Sequence, residues 1–122
     1  MIHGFGATGC VFYQMIKHLR SKFRVTIIDL LGMGTSGRPP FALTTAEECI
    51  KYFMLSIEAW MQTIGYKEGP DGDYILFGHS LGGYVSSNFA LHYPDRMTKL
   101  MLVSAVGIQT KPEGFSIENI II

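Results

Sequence analysis

A chain of 122 residues can form one compact domain with a modest core, and 48% hydrophobic residues is ordinary for a folded globular protein. Ten Lys and Arg balance ten Asp and Glu, which excludes a basic field that gathers nucleic acid as well as an acidic tail. Cys10 and Cys49 are too few for a disulfide framework and lack metal-ligand spacing, so they are expected as reduced thiols on helices, in a reducing compartment such as the cytoplasm. The opening Met1-Ile2-His3-Gly4 does not have the basic-then-apolar order of a signal peptide, and no apolar run approaches the ~20 residues of a membrane span.

In chain order, strands alternate with helices, which argues for a parallel sheet covered by helices. Met1-Ile2 reads as the end of a strand, followed by the loop His3–Thr8. From about Cys10 to Arg20, apolar Phe12, Met15, Ile16 and Leu19 recur three and four apart, the period of a half-buried helix. Phe23 to Asp29 is rich in Val and Ile and reads as a buried strand. Gly32, Gly34, Gly37 and Pro39-Pro40 then impose a loop.

Thr45 followed by Glu48 is a capping-box signature, and behind it Ile50, Phe53, Ile57, Trp60, Met61 and Ile64 mark one stripe of a long helix ended by Gly65. Gly69-Pro70-Asp71-Gly72 predicts a turn, and Tyr74 to Phe77 a second buried strand. A helix is predicted from Leu81, with small Gly82, Gly83, Ser86, Ser87 and Ala90 allowing close approach to the sheet and Pro94 stopping it. Leu100 to Val103 is a third strand, and the remainder, ending in Ile120-Ile121-Ile122, reads as loop.

The chemistry centres on Gly78-His79-Ser80-Leu81-Gly82. A Ser hydroxyl is a weak nucleophile that must be exposed, oriented and paired with a base. A strand–Gly-x-Ser-x-Gly–helix turn meets the first two needs, and its tightness demands Gly78 and Gly82 two residues to either side of Ser80. Acyl transfer also needs fixed N–H donors for the charge on the former carbonyl oxygen. One such donor follows the nucleophile, here Leu81; the other comes from an upstream strand-end loop, here Phe5, flanked by His3, Gly4 and Gly6. Gly32-Met33-Gly34-Thr35-Ser36-Gly37 spells a dinucleotide-binding pattern, but Arg38-Pro39-Pro40 follows where a helix would have to begin. No metal and no cofactor is expected.

These motifs together resemble the α/β-hydrolase superfamily, over nearly the whole chain. His-Gly-Phe-Gly at 3–6, Asp29-x-x-Gly32-x-Gly34-x-Ser36 and Gly-His-Ser-Leu-Gly-Gly at 78–83 stand in its order and spacing. Asp29-Leu30-Leu31-Gly32, Arg38-Pro39, Ser56-Ile57-Glu58-Ala59-Trp60 and the stretch from Gly78 to Asp95 resemble a narrower group. That group comprises lysophospholipases acting on N-acyl phosphatidylethanolamines, a lipid-droplet lipase coactivator and a plant lysophosphatidic acid acyltransferase.

The resemblance implies a partial α/β-hydrolase fold at 1–122, from the end of its third strand to just past its sixth. The N-terminal strands, the lid, the C-terminal strands and the triad Asp and His would lie outside the chain. It implies a serine-type ester hydrolase acting on a lipid or lysophospholipid through an acyl-enzyme on Ser80, with lysophosphatidic acid acyl transfer, a non-catalytic role at a lipid surface, or an inactive truncated product as the alternatives. It also implies a peripheral association with membranes or lipid droplets. The coactivator carries Asn where Ser80 stands, so Ser80 favours an enzyme ancestry. Among the four histidines, His3 is expected to brace its loop, His18 to lie on the first helix, His79 to turn away from the pocket, and His92 to end the helix after Ser80; none suits a general base. Asp29 is expected to brace the loop of Gly32 and Gly34.

Overall fold

The computed structural model describes residues 1–66 and 74–107. The turn expected at Gly69–Gly72 and the tail Ile120–Ile122 lie outside the described residues. Strand β1 (Ile75–His79) and strand β2 (Lys99–Val103) pair in parallel, with Ile75 opposite Lys99 and His79 opposite Val103. On the other side of β1, Ile2 exchanges backbone bonds with it: Ile2 N–H donates to Phe77 O at 2.8 Å and His79 N–H to Ile2 O at 3.0 Å. Ile28 pairs in turn with Ile2, and its N–H donates to Met1 O at 3.1 Å. Four parallel segments therefore lie side by side in the order Ile28, Ile2, β1, β2.

The segment Phe23–Asp29, expected as a buried strand, is corrected by this arrangement. It pairs at Ile28 alone, and Phe23 is half exposed. Its apolar, β-branched composition is suited to a strand, but a ladder needs a partner of matching length, and the neighbour here is Met1-Ile2.

The first predicted helix is also two elements. A 3-10 turn, Gly9–Phe12, leads into helix α1 (Tyr13–Leu19). Thr8 Oγ1 accepts from Cys10 N–H at 3.2 Å and sets the tight turn. Of the expected apolar face only Phe12 is buried, edge-on to Phe77 with ring centroids 5.5 Å apart; Met15 is exposed, and Ile16 and Leu19 are half buried.

Helix α2 (Ala46–Thr63) starts where the capping box predicts. Glu48 N–H donates to Thr45 Oγ1 at 3.2 Å, and Thr45 N–H returns a bond to Glu48 Oε2 at 3.1 Å. Its buried face is Phe53, Met54, Ile57 and Met61. Ile64, expected on that stripe, is exposed because it stands past the last helical turn, beside Gly65 at φ +71°. Met54 takes the place in the stripe that the spacing of apolar residues did not single out. Helix α3 (Leu81–His92) buries Gly82, Gly83, Val85, Ser86 and Phe89, and Pro94 opens a 3-10 turn just after it.

The core joins these layers: Ile2, Leu30 and Leu76 from the sheet region, Phe53 and Ile57 from α2, Val85 and Phe89 from α3. Arg96, in the turn after α3, forms a largely buried ion pair with Glu58 on α2, and its guanidinium lies 5.0 Å from the Tyr93 ring centroid. The Gly32–Gly37 segment leads into irregular chain, not into a helix, as expected; Arg38 donates to the Gly34 carbonyl at 3.0 Å and to the Ser36 carbonyl at 3.2 Å. Cys10 and Cys49 are free thiols. Among the described residues no helix is long and apolar enough to cross a membrane.

Candidate active site

The chain turns from strand β1 to helix α3 through the single residue Ser80, at φ 53° and ψ −118°. A left-handed backbone on a residue with a Cβ costs on the order of 1–3 kcal/mol, and persists only where its surroundings impose it. Those surroundings are visible. Ser80 N–H donates to Val103 O on β2 at 3.1 Å, while Ser80 O accepts from Tyr84 N–H at 3.1 Å and from Val106 N–H at 3.2 Å.

The flanking glycines are required by contact. A Cβ on Gly78 would stand 2.4 Å from the Gly82 carbonyl oxygen and 2.5 Å from Ser86 Oγ. One on Gly82 would stand 2.3 Å from the Ile2 carbonyl oxygen and 2.5 Å from that of His3. Gly82 thus lets α3 press onto the segment that leads into the His3–Gly6 loop. Ser86 Oγ, buried in this contact and without a hydrogen-bond partner among the described residues, is a participant that the sequence pattern marked only as a small residue.

Gly4 brings that loop beside Ser80. A Cβ on Gly4 would lie 3.0 Å from Ser80 Cβ and 3.4 Å from Ser80 Oγ. Gly6 follows at φ +67°, and the Phe5 side chain projects outward at 82% exposure. Leu81, first residue of α3, has its N–H at a helix end where no intrahelical acceptor exists.

His3 is fully buried and holds the loop from within. Leu30 N–H donates to His3 Nε2 at 3.1 Å, so Nε2 carries a lone pair; Nδ1, 2.7 Å from the Gly4 carbonyl oxygen, is then the protonated nitrogen and donates to it. His3 is thereby the neutral Nδ1–H tautomer. Asp29 Oδ1 lies 3.6 Å from Nε2.

Asp29 grips two loops. Its Oδ1 accepts from Gly9 N–H at 2.6 Å, and Oδ2 accepts from Thr35 N–H at 2.8 Å and Thr35 Oγ1–H at 3.0 Å. The Thr35 amide, then the Gly9 amide, hold its carboxyl below the usual aspartate value, against an opposing push from burial. The sequence pointed to the Gly34 side of this clamp; the bond to Gly9, twenty residues upstream, had no local signal.

The remaining histidines stand elsewhere. His18 lies on α1, and His92 at the end of α3 meets the Tyr93 ring at 4.7 Å. His79, expected to turn away from the pocket, packs against the loop: its Nδ1 is 3.3 Å from the Cβ position of Gly4. Among the described residues, no imidazole or carboxylate hydrogen-bonds Ser80 Oγ. An open, mainly apolar groove of about 780 Å³ runs between Tyr13, Ile28, Asp29, Ser56 and Trp60, and Ser80 is not part of its lining. Among the described residues, no cluster of three His, Cys, Asp or Glu side chains could hold a metal ion.

The parallel strands, the strand–Ser80–helix turn and the loop beside it define a fragment of an α/β-hydrolase architecture. The chain belongs to the alpha/beta hydrolase fold family, whose sequence profile matches residues 1–120. It is 38% identical, over 95% of its length, to a probable 1-acylglycerol-3-phosphate O-acyltransferase of Oryza sativa subsp. japonica, covering 27% of that protein. It is 36% identical, over 92% of its length, to the (lyso)-N-acylphosphatidylethanolamine lipase of Homo sapiens, covering 31% of it. Among solved structures, a thermophilic esterase from Thermogutta terrifontis superposes with a TM-score of 0.73 at 28% identity, over 92% of this chain and 38% of the esterase. The chain thus spans about a third or less of these two curated relatives. Its lineage is one of hydrolases with lipid-related relatives.

Proposed function

We propose that Ser80 is the nucleophile of a carboxylic-ester hydrolase acting on a lipid or lysophospholipid ester. The observation that carries this reading is the left-handed Ser80 at the mouth of α3 with Gly4 packed against its side chain. In this mechanism Ser80 Oγ attacks the ester carbonyl, and the resulting oxyanion accepts from the N–H groups of Leu81 and Phe5. The positive end of the α3 dipole favours the same charge. Collapse expels the alcohol and leaves an acyl group on Ser80, which water then removes. In this reading a histidine takes the Ser80 proton, the usual pairing for a serine nucleophile; among the described residues none is bonded to Ser80 Oγ. Such a substrate brings the enzyme to a membrane or lipid-droplet surface, in keeping with the peripheral, cytoplasmic placement expected from the sequence.

The lipid class is supported by the lipase and acyltransferase names of the relatives. The acyltransferase relatives favour a second reading, in which the acyl-enzyme is discharged by lysophosphatidate instead of water. Both readings share the acyl-Ser80 intermediate and differ in the acceptor.

The test is a fluorophosphonate probe applied to the protein carrying these residues. Ser80 is the expected labelled residue, and labelling disappears in Ser80→Ala. Label retained in Ser80→Ala overturns the nucleophile assignment. Release of free fatty acid in the presence of lysophosphatidate supports hydrolysis; a new phosphatidate product supports transfer.

A further inference from the structure

The loop beside Ser80 is anchored at both ends, and both anchors lead to one short stretch of chain. At its start, the Gly4 carbonyl is held by His3, whose other ring nitrogen is held by Leu30 N–H. At its end, Gly9 N–H is held by the Asp29 carboxylate at 2.6 Å. Asp29 and Leu30 are neighbours, so the span Gly4–Gly9 is a bridge resting on one two-residue abutment.

The abutment is itself fixed from the opposite side. Thr35 donates twice to Asp29 Oδ2, and Ser36 Oγ–H donates to the Asp29 carbonyl at 2.6 Å. Gly34 closes the space behind the carboxylate: a Cβ there would stand 2.2 Å from Oδ2. The carboxylate accepts three hydrogen bonds, from Gly9 on one loop and Thr35 on the other, which fix it in a single orientation.

Resting on the reading of Ser80 as nucleophile, we propose that Asp29 is a positioning residue for the oxyanion donor at Phe5. It locks the far end of the Gly4–Gly9 loop, as His3 locks the near end. A donor amide stabilises the transition state only when it is aimed where the charge appears, and misplacement of about 1 Å costs about 100-fold. Asp29 does not touch substrate; it acts through the position of the Phe5 N–H. The chemistry it governs is the tetrahedral, anionic stage of ester cleavage, and ground-state lipid binding is left unchanged.

The test compares wild type, Asp29→Asn and Gly34→Ala in the protein carrying these residues. Asn at 29 keeps the size but gives up one acceptor oxygen; Ala at 34 keeps the carboxylate and displaces it. Two readouts are taken on each: the affinity for an alkyl trifluoromethyl ketone, which forms an anionic adduct with an active-site Ser, and kcat and KM for a short-chain p-nitrophenyl ester.

Both variants should bind the ketone about 10- to 100-fold more weakly and lose kcat in proportion, with KM within about twofold of wild type. Wild-type ketone affinity in a folded variant overturns the proposal, as does a loss confined to KM. If Asp29→Asn does not fold, Gly34→Ala decides the question by the same criteria. Loss of positioning with Ser80 still labelled by fluorophosphonate in wild type separates this proposal from the nucleophile reading; a wild type with no label at Ser80 overturns both.

Discussion

Gly4 and Ser80 are packed so closely that a single methyl group on Gly4 would come within 3.0 Å of Ser80 Cβ. The contact spans 76 positions in the chain and joins the end of one strand segment to the turn that follows another. It leaves Ser80 Oγ beside a stretch of bare backbone, where an attacking hydroxyl and amide donors can meet on one carbonyl.

That contact predicts the outcome of Gly4→Ala. The added methyl touches Ser80 through a gap tighter than ordinary van der Waals contact, and no backbone atom blocks it. The fold should survive with a cost of about 1 kcal/mol, while kcat/KM for an ester falls about tenfold or more. Thermal melts and steady-state kinetics on the same preparation check both halves; unchanged kinetics would contradict the placement of this loop at the reaction centre.

Gly82→Ala should act in the opposite proportion. Its Cβ would meet two backbone carbonyl oxygens, those of Ile2 and His3, at 2.3 and 2.5 Å, and backbone cannot rotate aside. The sheet segment and α3 must separate, at a cost of about 3 kcal/mol or more. Urea unfolding of the variant should show an earlier midpoint or no cooperative transition.

Acid should reveal Asp29. Its carboxyl is held below the ordinary aspartate range, chiefly by the Thr35 amide and then the Gly9 amide. A depressed carboxyl adds stability that is complete above the unfolded pKa and is lost as pH falls through the lower folded value. Urea midpoints of wild type should therefore drop more steeply than those of Asp29→Asn as pH falls below about pH 4, and the difference between the two should be constant above about pH 5. Parallel curves through the acid range would show that the clamp is not ionised.

The described residues put no imidazole on Ser80 Oγ, and general-base assistance typically contributes about 100- to 10,000-fold. The 122-residue chain by itself should therefore cleave p-nitrophenyl butyrate at a rate within about tenfold of its Ser80→Ala variant. Turnover several hundred times faster than the variant would place a competent base inside this chain, with His79 the first residue to mutate.

Much of the fold and of the site was legible before the structure because its determinants are local. Thr45 and Glu48 stand three residues apart and satisfy each other's backbone partners, so the start of α2 is written in four residues. Gly78, Ser80 and Gly82 stand in the same way for a turn too tight for side chains at two positions. The small residues of α3 announced a helix laid close on a sheet.

The elements that depart from their sequence pattern are those whose conformation depends on distant partners. Phe23–Asp29 has the composition of a strand, but Met1-Ile2 offers it a single bridge. Cys10–Phe12 has the period of an α-helix, but Thr8 and the grip of Asp29 on Gly9 tighten it into a 3-10 turn. Ile64 has the right spacing for the buried stripe, but it falls where α2 has already ended.

By itself, then, the sequence determined the order of strand, turn and helix and the identity of Ser80 as the residue at the elbow, because backbone sterics and capping act over a few neighbours. Only the tertiary structure decided that Gly4 lies against Ser80, that His3 is the neutral tautomer linking Leu30 to Gly4, and that one carboxylate at Asp29 joins Gly9 to Thr35. Those relationships are hydrogen bonds and contacts between segments tens of residues apart, and they exist only once the sheet has brought the ends of its strands together.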